Sequence, residues 1–158
     1  ASRLVPYKRI DLAVTAFTQL GLPLVIAGEG RDRPALEALA GPQVRFLGRV
    51  SDAELSELLA GCRAFIFPGR EDFGIAPLEA QAAGRPVIAY GAGGALDTII
   101  EGETGVFFHE PTAEALAVAV RAFDAAAVDP AACRANAERF APERFRAALL
   151  AALAQLTA

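Results

Sequence analysis

At 158 residues with 54% apolar side chains, the chain suits one domain with a real core, burying about two thirds of the unfolded chain's surface. Charged residues make up 22% and are well spread, which excludes disorder; no apolar run approaches the ~18 residues of a membrane-spanning helix. A net charge of -4 argues against a nucleic-acid surface while leaving room for a locally basic cleft. Cys62 and Cys133 lie far apart without metal-ligand spacing, and no signal-peptide pattern opens the sequence. Two unpaired thiols in a reducing, cytoplasmic compartment are therefore expected.

In order, short apolar runs alternate with helical patterns. Residues 2–5 read as the end of a strand, with Pro6-Tyr7-Lys8-Arg9 as the turn behind it. A domain that starts inside its first strand is expected to be a fragment of something longer. Over residues 10–20, Ile10, Val14 and Phe17 share a helical face with Ala13, and Gly21 stops the helix. Leu24-Val25-Ile26-Ala27 is apolar without alternation, which predicts a strand buried on both faces. Asp32 is placed to cap a helix over 33–40, and a strand-like run over 44–47 ends at Gly48-Arg49-Val50. Ser51 followed by Glu54 is a capping box; its helix carries Leu55, Leu58 and Leu59 inward and stops at Gly61.

A buried strand over 63–67 leads into Pro68-Gly69-Arg70-Glu71-Asp72-Phe73-Gly74-Ile75-Ala76-Pro77-Leu78-Glu79-Ala80. The helix here is predicted to open with Pro77 and to run to about Ala83, with Gly84 past its end. Another strand over 86–90 is followed by Gly91-Ala92-Gly93-Gly94, a short helical turn around Leu96, Asp97 and Ile99, and a turn cluster over 101–105. The chain finishes with a strand over 106–108, a capped helix over 114–125, and two alanine-rich helices over 130–139 and 142–156. Their inward faces are assigned to Phe140, Phe145, Leu149, Leu153 and Leu156. This alternation predicts an α/β fold, a Rossmann-like parallel sheet of about six strands flanked by helices. Ligands of such folds bind beyond the carboxyl ends of the strands. The turns at 8–9, 28–30, 48–49, 69–74 and 91–94 each follow a strand, so they should converge on one edge.

The chemistry lies in those turns. With Pro77 at the helix start, the amides around Ile75, Ala76 and Leu78 lack intrahelical acceptors and offer a phosphate seat. Glu71, in a turn with no helix to cap, is assigned to sugar hydroxyls. Glu79 either complements the helix dipole or grips a ribose diol. Arg3 and Lys8 straddle the first turn, where a guanidinium and a point charge together suit a diphosphate; solvated surface charge is the alternative. Arg9 and Asp72 are assigned to the surface. The loop 91–94 resembles an anion cradle, although no P-loop is present and Gly28-Glu29-Gly30 lacks the third glycine of a dinucleotide fingerprint. His109 has no partner pattern for a triad or a metal site and is read as structural. No carboxylate pair has metal spacing.

These residues resemble the C-terminal, donor-binding half of a retaining GT-B glycosyltransferase of family 4. The likeness runs from Ser2-Arg3-Leu4 to about Arg139, and its specific part is Glu71, seven residues, then Glu79, close to the family's E-x7-E signature. Ala83-Gly84-Arg85-Pro86-Val87-Ile88-Ala89 continues it. The resemblance implies that residues 1–158 are a nucleotide-sugar-binding C-terminal domain whose acceptor-binding N-terminal domain is not in this sequence. It implies Arg3 and Lys8 on the donor diphosphate, and Glu71 on the transferred sugar beside Phe73 and Gly74. Ile75 and Ala76 amides would face the phosphates and Glu79 the ribose, with Gly28, Gly48, Arg49 and Val50 near the base. The donor would be a UDP-, GDP- or ADP-sugar, with no metal and no tightly bound cofactor. Ser2, Arg9 and Asp72 stand where the family usually has glycine, and Asp97 where it has Glu.

The implied activity is transfer of a hexose, with retention, to a glycan, lipid or small-molecule acceptor by the full-length enzyme. Membrane contact would be peripheral and made only through the absent half. The isolated chain should bind nucleotide weakly and transfer little. Rival readings are a sugar-nucleotide epimerase-like domain, a glycan phosphorylase, and a non-catalytic α/β nucleotide-binding or interaction module with Glu71 and Glu79 as surface acids. A phosphorylase needs a pyridoxal-phosphate lysine, and Lys8, the one lysine in the sequence, is poorly placed for that.

Overall fold

The fold was obtained as a computed structural model that describes residues 1–156. Among the described residues there are five parallel-paired strands: β1 (Leu24–Ala27), β2 (Val44–Gly48), β3 (Phe65–Phe67), β4 (Val87–Tyr90) and β5 (Gly105–Phe108). They form a two-stranded sheet, β1-β2, and a three-stranded sheet in the order β3-β4-β5. Six strands were expected. The missing one is the segment at residues 2–4, which runs extended beside the end of β1 without forming a regular strand. Its Ser2 and Leu4 amides donate to the carbonyls of Ala27 (3.0 Å) and Glu29 (2.9 Å), giving it a partner on that side.

The helices are α1 (Ile10–Leu20), α2 (Arg33–Leu39), α3 (Asp52–Gly61), α4 (Ile75–Ala82), α5 (Ala95–Thr98), α6 (Ala113–Ala122), α7 (Pro130–Glu138) and α8 (Pro142–Leu156). Pro6–Lys8 and Ala125–Ala127 form single 3-10 turns. Side chains of the three-stranded sheet alternate faces as a pleat demands. Ile66, Ile88, Tyr90, Val106 and Phe108 point into a layer with Leu12, Ala16 and Phe17 of α1 and Leu116 of α6. Phe65, Phe67, Val87, Ala89 and Phe107 point the other way, against Leu59 of α3, Ala80 of α4 and Ala95 of α5. Helices thus cover both faces.

The smaller sheet behaves differently. Ile26 and Val44 pack with Leu4, Val14 and Leu36, while Val25 (43% exposed) and Leu47 face outward. β1 is therefore open to solvent at Val25, against the expectation of burial on both faces along its length, while Ile26 and Ala27 at its end are buried. The second correction concerns α8, which was expected to bury Phe145, Leu149, Leu153 and Leu156. None of its residues is buried, and Phe145 is 68% exposed. A helical apolar pattern requires a surface to pack on, and the described residues do not supply one. Phe140, just before α8, is half-buried.

Candidate functional site

The five turns flagged in the sequence are linked to one another by direct contact. Gly28 donates its amide to the Gly48 carbonyl (2.7 Å), and a Cβ at Gly28 would lie 1.8 Å from the Ser2 carbonyl oxygen. The backbone at 2–4 can lie so close only because that atom is missing. The turn at 6–8 in its turn meets Gly69, where a Cβ would come within 2.7–2.8 Å of the Tyr7 and Lys8 oxygens. The segment after β3 then meets the segment after β4, since Gly94 donates to the Glu71 carbonyl (2.8 Å) and Glu71 bridges Gly93. All five carboxyl-end turns share one edge, as expected.

At that edge Lys8 Nζ forms an ion pair with Glu71 Oε1, the two side chains being 16% and 18% exposed. Among the described residues the buried Oε1 has no hydrogen-bond partner beside this ion pair. Arg3 is exposed and lines a cleft of about 390 Å³ with Val5, Pro6, Tyr7, Gly30 and Arg31. Arg31 and Tyr7 escaped the sequence reading, though Arg31 directly follows a flagged glycine turn. They bring a second guanidinium and an aromatic ring to the same cleft as Arg3. Arg9 adopts the left-handed conformation (φ 50°), the usual place of a glycine, and its guanidinium bonds Asp11 at 3.0–3.1 Å. That pairing holds the Arg9 guanidinium above its ordinary pKa and engages it with the first turn of α1.

The start of α4 corrects one expectation. The helix opens at Ile75 behind Gly74, whose φ of 85° turns the chain into it, so Pro77 occupies the third helical position. Proline is tolerated there because the amides of the first turn have no intrahelical acceptor in any case. No side chain caps this end and no acid lies in the first turn. The amides of Ile75 and Ala76 are thus open, with the exposed Phe73 and Ile75 side chains beside them. Glu79 lies beyond the first turn and is exposed, and its side chain makes no hydrogen bond or ion pair among the described residues. Helix-dipole compensation fades within one turn and does not account for it.

The glycine loop after β4 also differs from its sequence reading. Gly91, Ala92 and Gly94 donate their amides to Phe108, Tyr90 and Glu71 carbonyls. Three of its four amides are therefore engaged within the protein and do not face an anion. A Cβ at Gly94 would lie 2.3 Å from the Phe73 oxygen, so this loop is glycine-rich in order to support the Glu71–Phe73 segment. Arg49 is exposed and Val50 half-buried behind β2, while Glu29 and Arg33 pair above Gly48. His109 is exposed next to Gly91. Both cysteines are free thiols, and burial raises the pKa of each.

Beneath the edge lies a buried polar group that the sequence did not disclose: Gln81, Thr98 and Asn136, at 0–3% exposure. Each sits singly within an otherwise helical pattern, and nothing local to it marks it as part of a network.

Residues 1–140 match the family described as glycosyl transferases group 1. A similar curated protein is the GDP-mannose-dependent monoacylated alpha-(1-6)-phosphatidylinositol monomannoside mannosyltransferase of Corynebacterium glutamicum. It is 39% identical over 114 residues, which are 62% of this chain and 30% of that protein. The glycogen synthase of Mycobacterium tuberculosis is 35% identical over 146 residues, 85% of this chain and 34% of the relative. The chain therefore spans only 30–34% of the length of these relatives. Among solved structures, Anabaena HepE in complex with UDP superposes with a TM-score of 0.80 over 98% of this chain and 47% of that one. At 22% identity this is a likeness of fold. By the extent of the family match, the chain belongs to the group 1 glycosyl transferases.

Proposed function

We propose that this chain is the donor-binding, C-terminal domain of a retaining GT-B glycosyltransferase that takes a nucleoside-diphosphate hexose. The observation that carries the reading is the Lys8–Glu71 pair, a cation and an acid in contact beside the uncapped start of α4. In the proposed complex Arg3, Lys8 and the Ile75 and Ala76 amides hold the diphosphate. Glu71 contacts the hydroxyls of the transferred sugar next to Phe73 and Gly74, Glu79 takes the ribose diol, and the base lies near Gly28, Gly48, Arg49 and Val50.

The chemistry follows from the leaving group. The bond from the anomeric carbon to the diphosphate oxygen breaks with its electron pair going to that oxygen, and charge grows there. Preset cations and amides stabilise that charge more in the transition state than in the ground state. The acceptor oxygen then bonds the anomeric carbon from the same face and yields its proton to the departing phosphate. The acceptor, a glycan, lipid or small molecule, is held by a second domain beyond this sequence. Several relatives are named for GDP-mannose and the HepE structures hold UDP or UDP-glucose, which makes these the first donors to try.

Calorimetric titration of the chain with GDP and UDP tests the assignment. One of the two should bind, and Arg3→Ala combined with Lys8→Ala should abolish that binding. An unchanged affinity in the double variant rejects the phosphate role of this edge.

A further inference from the structure

The buried group of Gln81, Thr98 and Asn136 has a structural reason. α5 ends at Thr98 and the chain continues extended through Ile99, which leaves the Thr98 carbonyl without a helical donor. Two side-chain amides reach it from other helices: Gln81 Nε2 of α4 at 2.9 Å and Asn136 Nδ2 of α7 at 2.9 Å. Asn136 Nδ2 also donates to Gln81 Oε1 (2.6 Å), and Gln81 Nε2 to the Pro77 carbonyl (3.3 Å). Asn136 Oδ1 accepts from Arg139 Nη1 at 3.0 Å. Every polar atom of both amide side chains has a partner, so the group is a satisfied network that fixes α4, α5 and α7 against one another.

Two routes lead from this network to the segment at 71–73. Through hydrogen bonds, Thr98 Oγ1 donates to the Gly94 carbonyl (2.8 Å), and the Gly94 amide donates to the Glu71 carbonyl (2.8 Å). Through rings, the Arg139 guanidinium lies 5.7 Å from the Phe140 ring centre, and Phe140 meets Phe73 edge-on with centroids 5.8 Å apart at 66°. Both are tied to α7 or the turn behind it, the first through Asn136 at Thr98 and the second through Arg139. Both end on the two residues that flank exposed Asp72.

We propose that Asn136, Arg139 and Phe140 are positioning residues that hold the Glu71–Phe73 segment in place for the sugar end of the donor. The proposal rests on the donor reading for its sugar, but not for the mechanical link. Phe140 is the residue to test, because it is half-buried and lies outside the amide network, so its loss leaves the network's bonds intact. Phe140→Ala removes the ring against Phe73; Phe140→Tyr retains it.

The measurements are hydrogen exchange at 71–74 in the ligand-free chain, and titration with GDP, GDP-mannose, UDP and UDP-glucose. In Phe140→Ala, exchange at 71–74 should rise at least tenfold while α1 stays unchanged. Affinity for the nucleoside diphosphate should stay within twofold, and the added affinity contributed by the sugar should fall fivefold or more. Phe140→Tyr should restore both. Unchanged exchange at 71–74, or parallel loss of affinity for diphosphate and sugar nucleotide, overturns the proposal. A native chain that binds no nucleotide rejects the donor reading, and exchange at 71–74 then decides by itself whether Phe140 holds the segment.

Discussion

At the scale of single residues, the Lys8–Glu71 contact sets the terms for binding. With each side chain 16–18% exposed, the pair is intermediate between a surface ion pair of about 0–1 kcal/mol and a buried one. In the free protein Glu71 competes for the cation that the diphosphate would use. Glu71→Gln keeps the shape of the side chain and removes the competitor. Affinity for the nucleoside diphosphate alone should therefore rise severalfold while the contribution of the sugar is lost, as read by side-by-side titrations. Equal loss of both would assign Glu71 to holding the loop instead. Arg3, Lys8 and Glu71 were legible in the sequence because an ion is costly to place without a partner, and turns after strands are where such folds bind ligands. Arg31 was not legible, since it stands in no pattern of its own; Phe140 was read as an inward residue of the terminal helices, but only the packing shows that it meets Phe73 at this edge.

Local chemistry decides some elements and not others. Ser51 closes a capping box on α3: its amide donates to Glu54 Oε2 at 2.8 Å, and its hydroxyl accepts from the Glu54 amide at 3.3 Å. Ser51→Ala should cost about 1 kcal/mol and lower the melting temperature by about 2–4 °C in a calorimetric scan. The Ser51 amide foremost, and then the Ser51 hydroxyl, which donates to the same Oε2 at 2.7 Å, hold the Glu54 carboxyl below its ordinary pKa of 4.5. A carboxyl lowered in the folded state contributes stability that is complete above its unfolded pKa and is lost as pH falls through the folded one. The Ser51→Ala deficit should accordingly shrink in scans run progressively below pH 4.5. α3 could be read from four residues. The start of α4 was misplaced by two positions because Gly74 in a left-handed conformation, not Pro77, turns the chain. α8 shows the limit of periodicity: its pattern declares an apolar face but not what that face meets.

For the whole molecule, two glycines make the contrast. Gly94 has an ordinary backbone conformation, yet a Cβ there would sit 2.3–2.6 Å from Phe73 and Asp72 backbone atoms. Gly61 ends α3 with nothing within 4 Å. Gly94→Ala must push apart the loops behind β3 and β4, costing about 1–3 kcal/mol and weakening donor binding. Gly61→Ala should instead stabilise the chain, by up to about 1 kcal/mol, through helix propensity. Denaturant melts of both variants check the pair; similar shifts would refute the close approach of the loops. By itself the sequence determined the α/β class, the order of elements, the shared carboxyl-end edge and the charged residues placed on it. Those follow from periodicity, caps and turn chemistry, all of which act over a few neighbouring residues. Tertiary structure alone decided that Lys8 touches Glu71, that the 91–94 loop supports its neighbour instead of facing an anion, and that Asn136 reaches Thr98 across 38 residues. These are contacts between residues distant in the chain, and their geometry is set by how the layers pack, which no local pattern encodes.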